Sequence, residues 1–315
     1  MDIIAKISEE LGIRKNQTEA AVKLIDEGNT IPFIARYRKE ATGALNDEVL
    51  RNLYERLTYL RNLEERKETV LASIEEQGKL TDELKAQILA AETMVVVEDL
   101  YRPYKPKRKT RATIAQSKGL TGLANIISLQ MTNKPIPEEA LAYVSEEKEV
   151  HSAEEAIAGA MDIIAESISD NAEYRTEIRS LTMDKGILMT TAKDPEAESV
   201  YEMYYDFSTP VRKMTGYRTL AINRGEKEKF LSVKIEAPVD EITGYLIRQV
   251  IVRDNPNTND ILRNTITDSY ERLIAPSIER DIRSSLTEAA EDGAIKVFGS
   301  NLKQLLMQPP INGHV

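Results

Sequence analysis

Between Asn46 and Gln77 the chain reads NDEVLRNLYERLTYLRNLEERKETVLASIEEQ, with Val49, Leu50, Leu53, Leu57, Leu60, Val70, Leu71 and Ile74 at helical spacing and Gly78 closing the run. One period sustained over that length predicts a single long amphipathic helix, and a helix with one apolar face must be covered by other elements. The rest of the chain supplies mostly further helices.

Ile3, Ile4, Ile7 and Leu11 form one short stripe, and Ala21, Val22, Leu24 and Ile25 form another that ends at Gly28. Two short helices joined by a tight turn resemble a helix-turn-helix, as do many helical hairpins. Thr30 and Pro32 mark the start of a helix in IPFIARYRKE, and Thr81 opens TDELKAQILAAET. MVVV at 94 to 97 is too short for periodicity to separate helix from strand. Ser152 and Glu155 have the spacing of a capping box at the head of a helix carrying Ile157, Met161, Ile164 and Ile168.

From about residue 186 the texture changes. Leu231, Val233 and Ile235 alternate with polar residues as in a half-buried strand, and GILMTT is a second candidate. Helical spacing returns from Asn257 through Leu262, Ile266, Tyr270, Leu273, Ile278, Ile282 and Leu286, where Pro276 is expected to kink or divide the helix. The fold class expected is therefore mainly α. A helical region over 1–185 begins with the helix-turn-helix-like element, a small mixed α/β module covers 186–256, and a long helix covers 257–308.

No cysteine is present among the 315 residues, which removes disulfides and thiolate chemistry and suits a reducing compartment, with the cytoplasm as the expected location. No stretch approaches the ~20 apolar residues of a membrane span. The two histidines, His151 and His314, are too far apart to read as a local metal motif, and no phosphate-cradling glycine pattern appears. We therefore expect no metal, no cofactor and no catalytic site. Acid clusters at 64–65 and 289–292 read as solvated helix faces.

The formal net charge is -10, yet EDLYRPYKPKRKTRATIA from residue 98 sets six basic side chains, Arg102, Lys105, Lys107, Arg108, Lys109 and Arg111, against two acids. Pro103 and Pro106 block a helix interior and favour an extended path, while Tyr101 and Tyr104 offer flat faces for unpaired bases and the cations suit phosphates. The same cations could equally pair with acidic helices of this chain. A second basic stretch is PFIARYRKEATG, with Arg36, Arg38, Lys39 and Tyr37 close together before Gly43; there the alternative is that Phe33, Ile34 and Tyr37 are core and the arginines cap or pair. A third, YRTLAINRGEKEKF, mixes Arg218, Arg224, Lys227 and Lys229 with Glu226 and Glu228 and is weak as a nucleic-acid patch.

TIPFIARYRKEATGALND, EDLYRPYKPKRKTRATIA and LAINRGE resemble the N-terminal region of the bacterial Tex family of transcription accessory proteins, and EAAEDGAIKVFGSNLKQLLMQPP resembles the segment before that family's next domain. The resemblance runs along essentially the whole chain. It implies a largely helical region with a helix-turn-helix-like element, followed in the family by a YqgF-type ribonuclease-H-like domain, helix-hairpin-helix elements and a C-terminal OB-fold RNA-binding domain. Those lie outside this sequence. Where the family commonly has Pro-Ser-His-Arg before LAINRGE, this chain has Thr215, Gly216, Tyr217 and Arg218, so a role for that histidine does not transfer. The resemblance implies a non-enzymatic factor that holds RNA or DNA weakly and without sequence preference, with the transcription machinery and the family's C-terminal domains as partners. The rival expectation is a scaffold for protein contacts alone.

Overall fold

The computed structural model describes residues 1–107 and 109–307; Arg108 and His314 lie outside the described residues. Two compact units divide at Lys105 and Pro106, within the basic segment.

The first unit contains α1 (Ile3–Leu11), α2 (Lys15–Asp26), α3 (Ile31–Tyr37), α4 (Asp47–Glu76), α5 (Asp82–Ala90) and α6 (Met94–Tyr101). Helix α4 is the long helix that the periodicity demands. Its buried stripe runs Leu50, Leu53, Leu57, Leu60, Leu63, Lys67, Val70 and Ile74, and the other five helices pack along it. Asn46 caps its first turn through Val49 N, at 2.8 Å. At its end Gly78 adopts φ +65°, and Lys79 N donates to Ile74 O at 3.2 Å, closing carbonyls a straight helix would leave open. MVVV resolves as helix, capped by Thr93, with Val97 and Tyr101 buried four residues apart.

The second unit contains α7 (Arg111–Ser117), α8 (Thr121–Leu129), α9 (Ile136–Ala140), α10 (Ala153–Asp170), α11 (Ala172–Lys185), β1 (Ile187–Ala192), β2 (Asp206–Pro210), α12 (Gly216–Lys227), β3 (Leu231–Glu236), α13 (Val239–Val250), α14 (Asn259–Asp268) and α15 (Ala275–Leu306). Helix α10 is the hub, packed by α7, α8, α9 and α14. The Ser152 cap accepts from Glu155 N, while the Glu155 carboxylate reaches back one residue further than the simple pattern, accepting from His151 N at 2.7 Å. The antiparallel sheet has the order β2-β1-β3, with Thr190 opposite Phe207 on one side and Val233 on the other. GILMTT and LSVKIE are strands as expected; DFSTP is a third that alternation does not reveal.

Pro276 does not divide the last helix. Residues Ser269–Ile274 form a π-helical turn joining α14 to α15. A proline at 276 supplies no N–H for the turn before it and crowds that turn, and a wider turn relieves both. The turn also rephases the apolar stripe. Leu262, Ile266, Tyr270, Ile274, Ile278 and Ile282 are all buried and all four residues apart. In a pure α-helix each such step drifts by about 40°, winding the stripe off the core; the π turn lags in the opposite sense and restores it. Ser269 Oγ donates to the Ala165 carbonyl at 2.7 Å, holding the turn on α10.

Helices α12 and α15 run antiparallel in close contact. Asn223 Nδ2 donates to Thr287 Oγ1 at 2.8 Å, Glu226 pairs with Arg283, and a Cβ on Gly216 would lie 3.3 Å from Ala290 Cα. On the sheet side of α12, a Cβ on Gly225 would sit 2.7 Å from Leu231 Cδ1 and 3.1 Å from the Tyr201 ring. We expect Gly225→Ala to destabilise the second unit by about 1–3 kcal/mol through overpacking, read as a lower urea midpoint at unchanged slope.

Among the described residues no helix is long and apolar enough to cross a membrane, and no group of three or more His, Cys, Asp or Glu is placed to hold a metal ion.

Candidate nucleic-acid interface

The structure splits the basic segment between the two units. Tyr101 ends α6 and is only 8% exposed; its hydroxyl is 3.0 Å from Ser73 Oγ, and the Arg66 guanidinium lies 5.4 Å from its ring centroid. It is a core residue of the first unit and offers no face for stacking, contrary to the sequence expectation. The path is not extended at this point either. Arg102–Tyr104 is a 3₁₀ turn, because Pro103 occupies a first-turn position where its missing N–H costs nothing. Tyr104 is half-buried against the same core, and its carbonyl accepts from Gln77 Nε2 at 2.9 Å. Arg102 is half-buried in that turn. Lys105 is exposed, 3.7 Å from Glu98, which also receives Arg66 at 2.6 Å.

In the second unit the Lys107 ammonium lies 3.3 Å from Glu166 and pairs with Asp170. Internal pairing, left open by the sequence, is what the structure assigns to this lysine. Lys109 is exposed with no ion pair among the described residues. Arg111 is the first residue of α7 and lines a recess of about 300 Å³ that also holds Glu149, Glu155 and Asp162, so carboxylates surround it.

The second basic stretch is arranged differently. Ile34 is buried in the core of the first unit, which turns the following residues outward at the C-terminal end of α3, where the helix dipole favours cations. Arg36, Arg38 and Lys39 are all exposed, and among the described residues none has an acid within ion-pair distance. Phe33 and Tyr37, four apart on one face, contact at 5.3 Å between centroids, and the Arg38 guanidinium lies 5.2 Å from the Phe33 centroid. Tyr37 is 61% exposed, so the expectation of a core tyrosine is corrected: Phe33 and Arg38 support it from below.

A clamp fixes the loop that follows. Gln17 on α2 accepts from Arg14 N at 3.2 Å, while its amide donates to Thr42 O at 3.2 Å and Gly43 O at 3.0 Å. Buried Thr42 donates to Arg38 O at 3.3 Å. Gly43 has φ +61°, and a Cβ there would lie 2.8 Å from the Gln17 amide nitrogen. Gln17 is the residue sequence reasoning missed in this site. The Gly43 turn hints at a fixed loop but does not identify its clamp.

The helix-turn-helix-like pair contributes little free charge. Lys15 of α2 pairs with Asp2 and Asp26 pairs with Arg61, whose guanidinium holds that carboxyl below its usual range despite some burial. In the third stretch Arg224 pairs with Glu228 at 2.9 Å, and Glu226 is taken by Arg283. Arg218 has no acid partner among the described residues and lies 5.6 Å from the centroids of both Phe207 and Tyr217.

Comparison with known proteins places this geometry in a family. Residues 1–75 match the model for the Tex-like protein N-terminal domain, and residues 131–298 match the model described as Tex central region-like. The chain is 47% identical over 311 residues to the uncharacterized Bacillus subtilis protein YdcI, covering 98% of this chain and 43% of that protein. It is 41% identical over 320 residues to the transcriptional accessory protein Tex of Neisseria gonorrhoeae, covering 98% of this chain and 42% of that protein. The human S1 RNA-binding domain-containing protein 1 is 30% identical over 330 residues, which are 99% of this chain and 33% of that protein. The chain thus spans less than half the length of the curated relatives it matches. With both family models matched in order along a mainly helical chain, the protein belongs to the Tex family.

Proposed function

We propose that this chain is the N-terminal part of a nucleic-acid-binding transcription accessory factor, and that it contributes phosphate contacts without reading sequence. The observation that carries the proposal is the Arg36, Arg38 and Lys39 surface: three exposed cations clear of acids among the described residues, beside exposed Tyr37, at the end of α3 and the start of the loop that Gln17 clamps, in a chain of net charge -10. Cations left unpaired in so acidic a protein are available to a polyanion, and a fixed loop loses little entropy on binding. The names of the relatives, a transcriptional accessory protein and an S1 RNA-binding domain-containing protein, support the same class. Arg102, Lys105, Lys109 and Arg111 are secondary contacts in this reading, and Lys107 contributes least because Glu166 and Asp170 already neutralise it. The chain acts by binding, with no reaction of its own.

Fluorescence anisotropy across a salt series tests this. The R36A/R38A/K39A variant is expected to lower the slope of log affinity against log salt by about 2 to 3, at 0.7 to 0.9 per lost contact. The K107A/K109A variant is expected to lower it by about 1 at most. An unchanged slope in the first variant would remove this surface from the proposal.

A second reading, a protein-interaction scaffold, draws on the end of α15. After Ala290 the helix residues whose burial is described are all exposed, among them Ile295, Val297, Phe298, Leu305 and Leu306. Absence of oligonucleotide binding at low salt would make that the better reading.

A further inference from the structure

We propose that the second unit carries its own single-stranded nucleic-acid contact, built from Tyr217, Arg218 and Lys213 at the junction of β2 and α12. It goes beyond the Arg36 surface, uses different residues on a different unit, and stands whether or not that surface binds.

Three observations converge there. Tyr217 is 66% exposed, a large aromatic ring on the first turn of a helix whose other faces are committed to α15 and to the sheet. Thr219 and Ile222 are buried on those faces, so the phase of the helix forces the Tyr217 ring outward. Arg218 is then held in place by ring contacts, with no acid neutralising it among the described residues. Its guanidinium lies 5.6 Å from the Phe207 centroid and 5.6 Å from the Tyr217 centroid, and Phe207 is itself braced edge-on by buried Tyr204 at 5.4 Å. A guanidinium packed between rings keeps its in-plane N–H donors directed away from the ring faces.

The local charge points the same way. Of the neighbouring cations, Arg212 takes up Asp184 at 3.0 Å, while Lys213 is exposed and without an ion pair among the described residues. Arg218 thus lies against the exposed Tyr217 ring, and exposed Lys213 precedes that tyrosine by four positions in the chain, neither cation with an acid partner among the described residues. At the other end of α12 Arg224 is neutralised by the capping residue Glu228.

That combination fits an unpaired base stacked on Tyr217 with its phosphates at Arg218 and Lys213. Base stacking on an exposed ring tolerates any sequence, whereas a duplex buries its base faces and can use only the cations. The partner class is accordingly single-stranded RNA or DNA. Phe207 and Tyr204 serve as positioning residues, since they touch Arg218 or its support and not the ligand.

The test uses the whole chain and a short oligo(U) carrying 5-iodouracil, which crosslinks to aromatic side chains on irradiation. Crosslinks are expected in the peptide containing Tyr217, and Tyr217→Ala is expected to weaken oligo(U) binding roughly 5- to 10-fold while leaving duplex affinity unchanged. Tyr217→Phe keeps the ring and is expected to retain binding. At 66% exposure neither change threatens the fold. The R36A/R38A/K39A variant, run in parallel, separates the two surfaces: crosslinking at Tyr217 that persists in it supports this site independently. Absence of crosslinks from the Tyr217 peptide, or wild-type oligo(U) affinity in Tyr217→Ala, would overturn the proposal, whatever the salt slope says about Arg36.

Discussion

Glu64→Ala is expected to destabilise the first unit by about 3 kcal/mol, and Lys67→Met by less than about 1 kcal/mol. The asymmetry follows from where the charges sit. Lys67 lies in the apolar stripe of α4, between Leu63 and Val70, and its side chain is 1% exposed. Its ammonium donates to Glu64 Oε1 at 2.8 Å and to the Leu89 carbonyl at 3.0 Å, while Glu64 Oε2 accepts from the Met1 ammonium at 3.1 Å. Removing the carboxylate leaves a buried cation with one neutral acceptor. Removing the cation and substituting a thioether of similar length leaves an apolar stripe completed and a partly exposed carboxylate still paired with Met1. Urea titrations of the two variants give the comparison directly. Equal losses in both would mean that the pair, not the stranded charge, sets the energy.

The same carboxylate makes a pH prediction. Burial pushes the Glu64 carboxyl up, but hydrogen bonds from Lys67 and the N-terminal ammonium outweigh it and hold it below the ordinary value of 4.5. A depressed folded value means that the ionised group stabilises the fold above the unfolded value and that this contribution disappears as pH falls through the folded one. Wild-type stability should therefore drop more steeply than that of Glu64→Ala between about pH 5 and pH 3.

What the sequence made legible was local. The α4 periodicity, the Thr81 and Ser152 caps and the Gly28 and Gly78 stops each depend on residues within one or two turns, and all appear where their chemistry requires. The strand β2 was not legible, because DFSTP spends no clear alternation on a sheet edge where Phe207 and Thr209 are only half-buried. The π turn was not legible either. Pro276 announces a disturbance, but its form depends on the core of α10 that the stripe must keep facing.

The candidate site shows the same limit more sharply. Seven of the basic residues singled out at 36–39 and 98–111 are exposed, and exposure alone does not separate them. Lys107 is neutralised by acids about sixty positions away on α10, and Tyr101 is buried in the core of the first unit with its hydroxyl on half-buried Ser73 of α4, while Tyr37 is released because Ile34 takes the buried position on the same short helix. A cation's partner is a tertiary fact. Charge counted along the chain ranked the 98–111 segment above Arg36, Arg38 and Lys39, and could not show that Lys107 has acid partners while those three have none among the described residues.

Ile282→Ala is expected to cost the second unit about 2–5 kcal/mol, while Phe298→Ala and Leu302→Ala on the same helix should each stay within about 0.5 kcal/mol of wild type. Ile282 is 1% exposed at the end of the rephased stripe, and deleting its side chain opens a cavity between α15 and the core that neighbouring helices cannot close without moving. Phe298 is 68% exposed, so truncating it removes contact with water. Helix α15 thus has a packed half, up to Ala290, whose residues answer to the stability of this unit, and a second half whose apolar residues do not. Natural helices seldom keep Ile, Val, Phe and Leu exposed over several turns without an interaction to serve. Urea unfolding of the three variants distinguishes the halves. If Phe298→Ala were as costly as Ile282→Ala, the helix end would be part of the core and the scaffold reading would lose its one supporting observation; a cost confined to Ile282 leaves that face free for a partner.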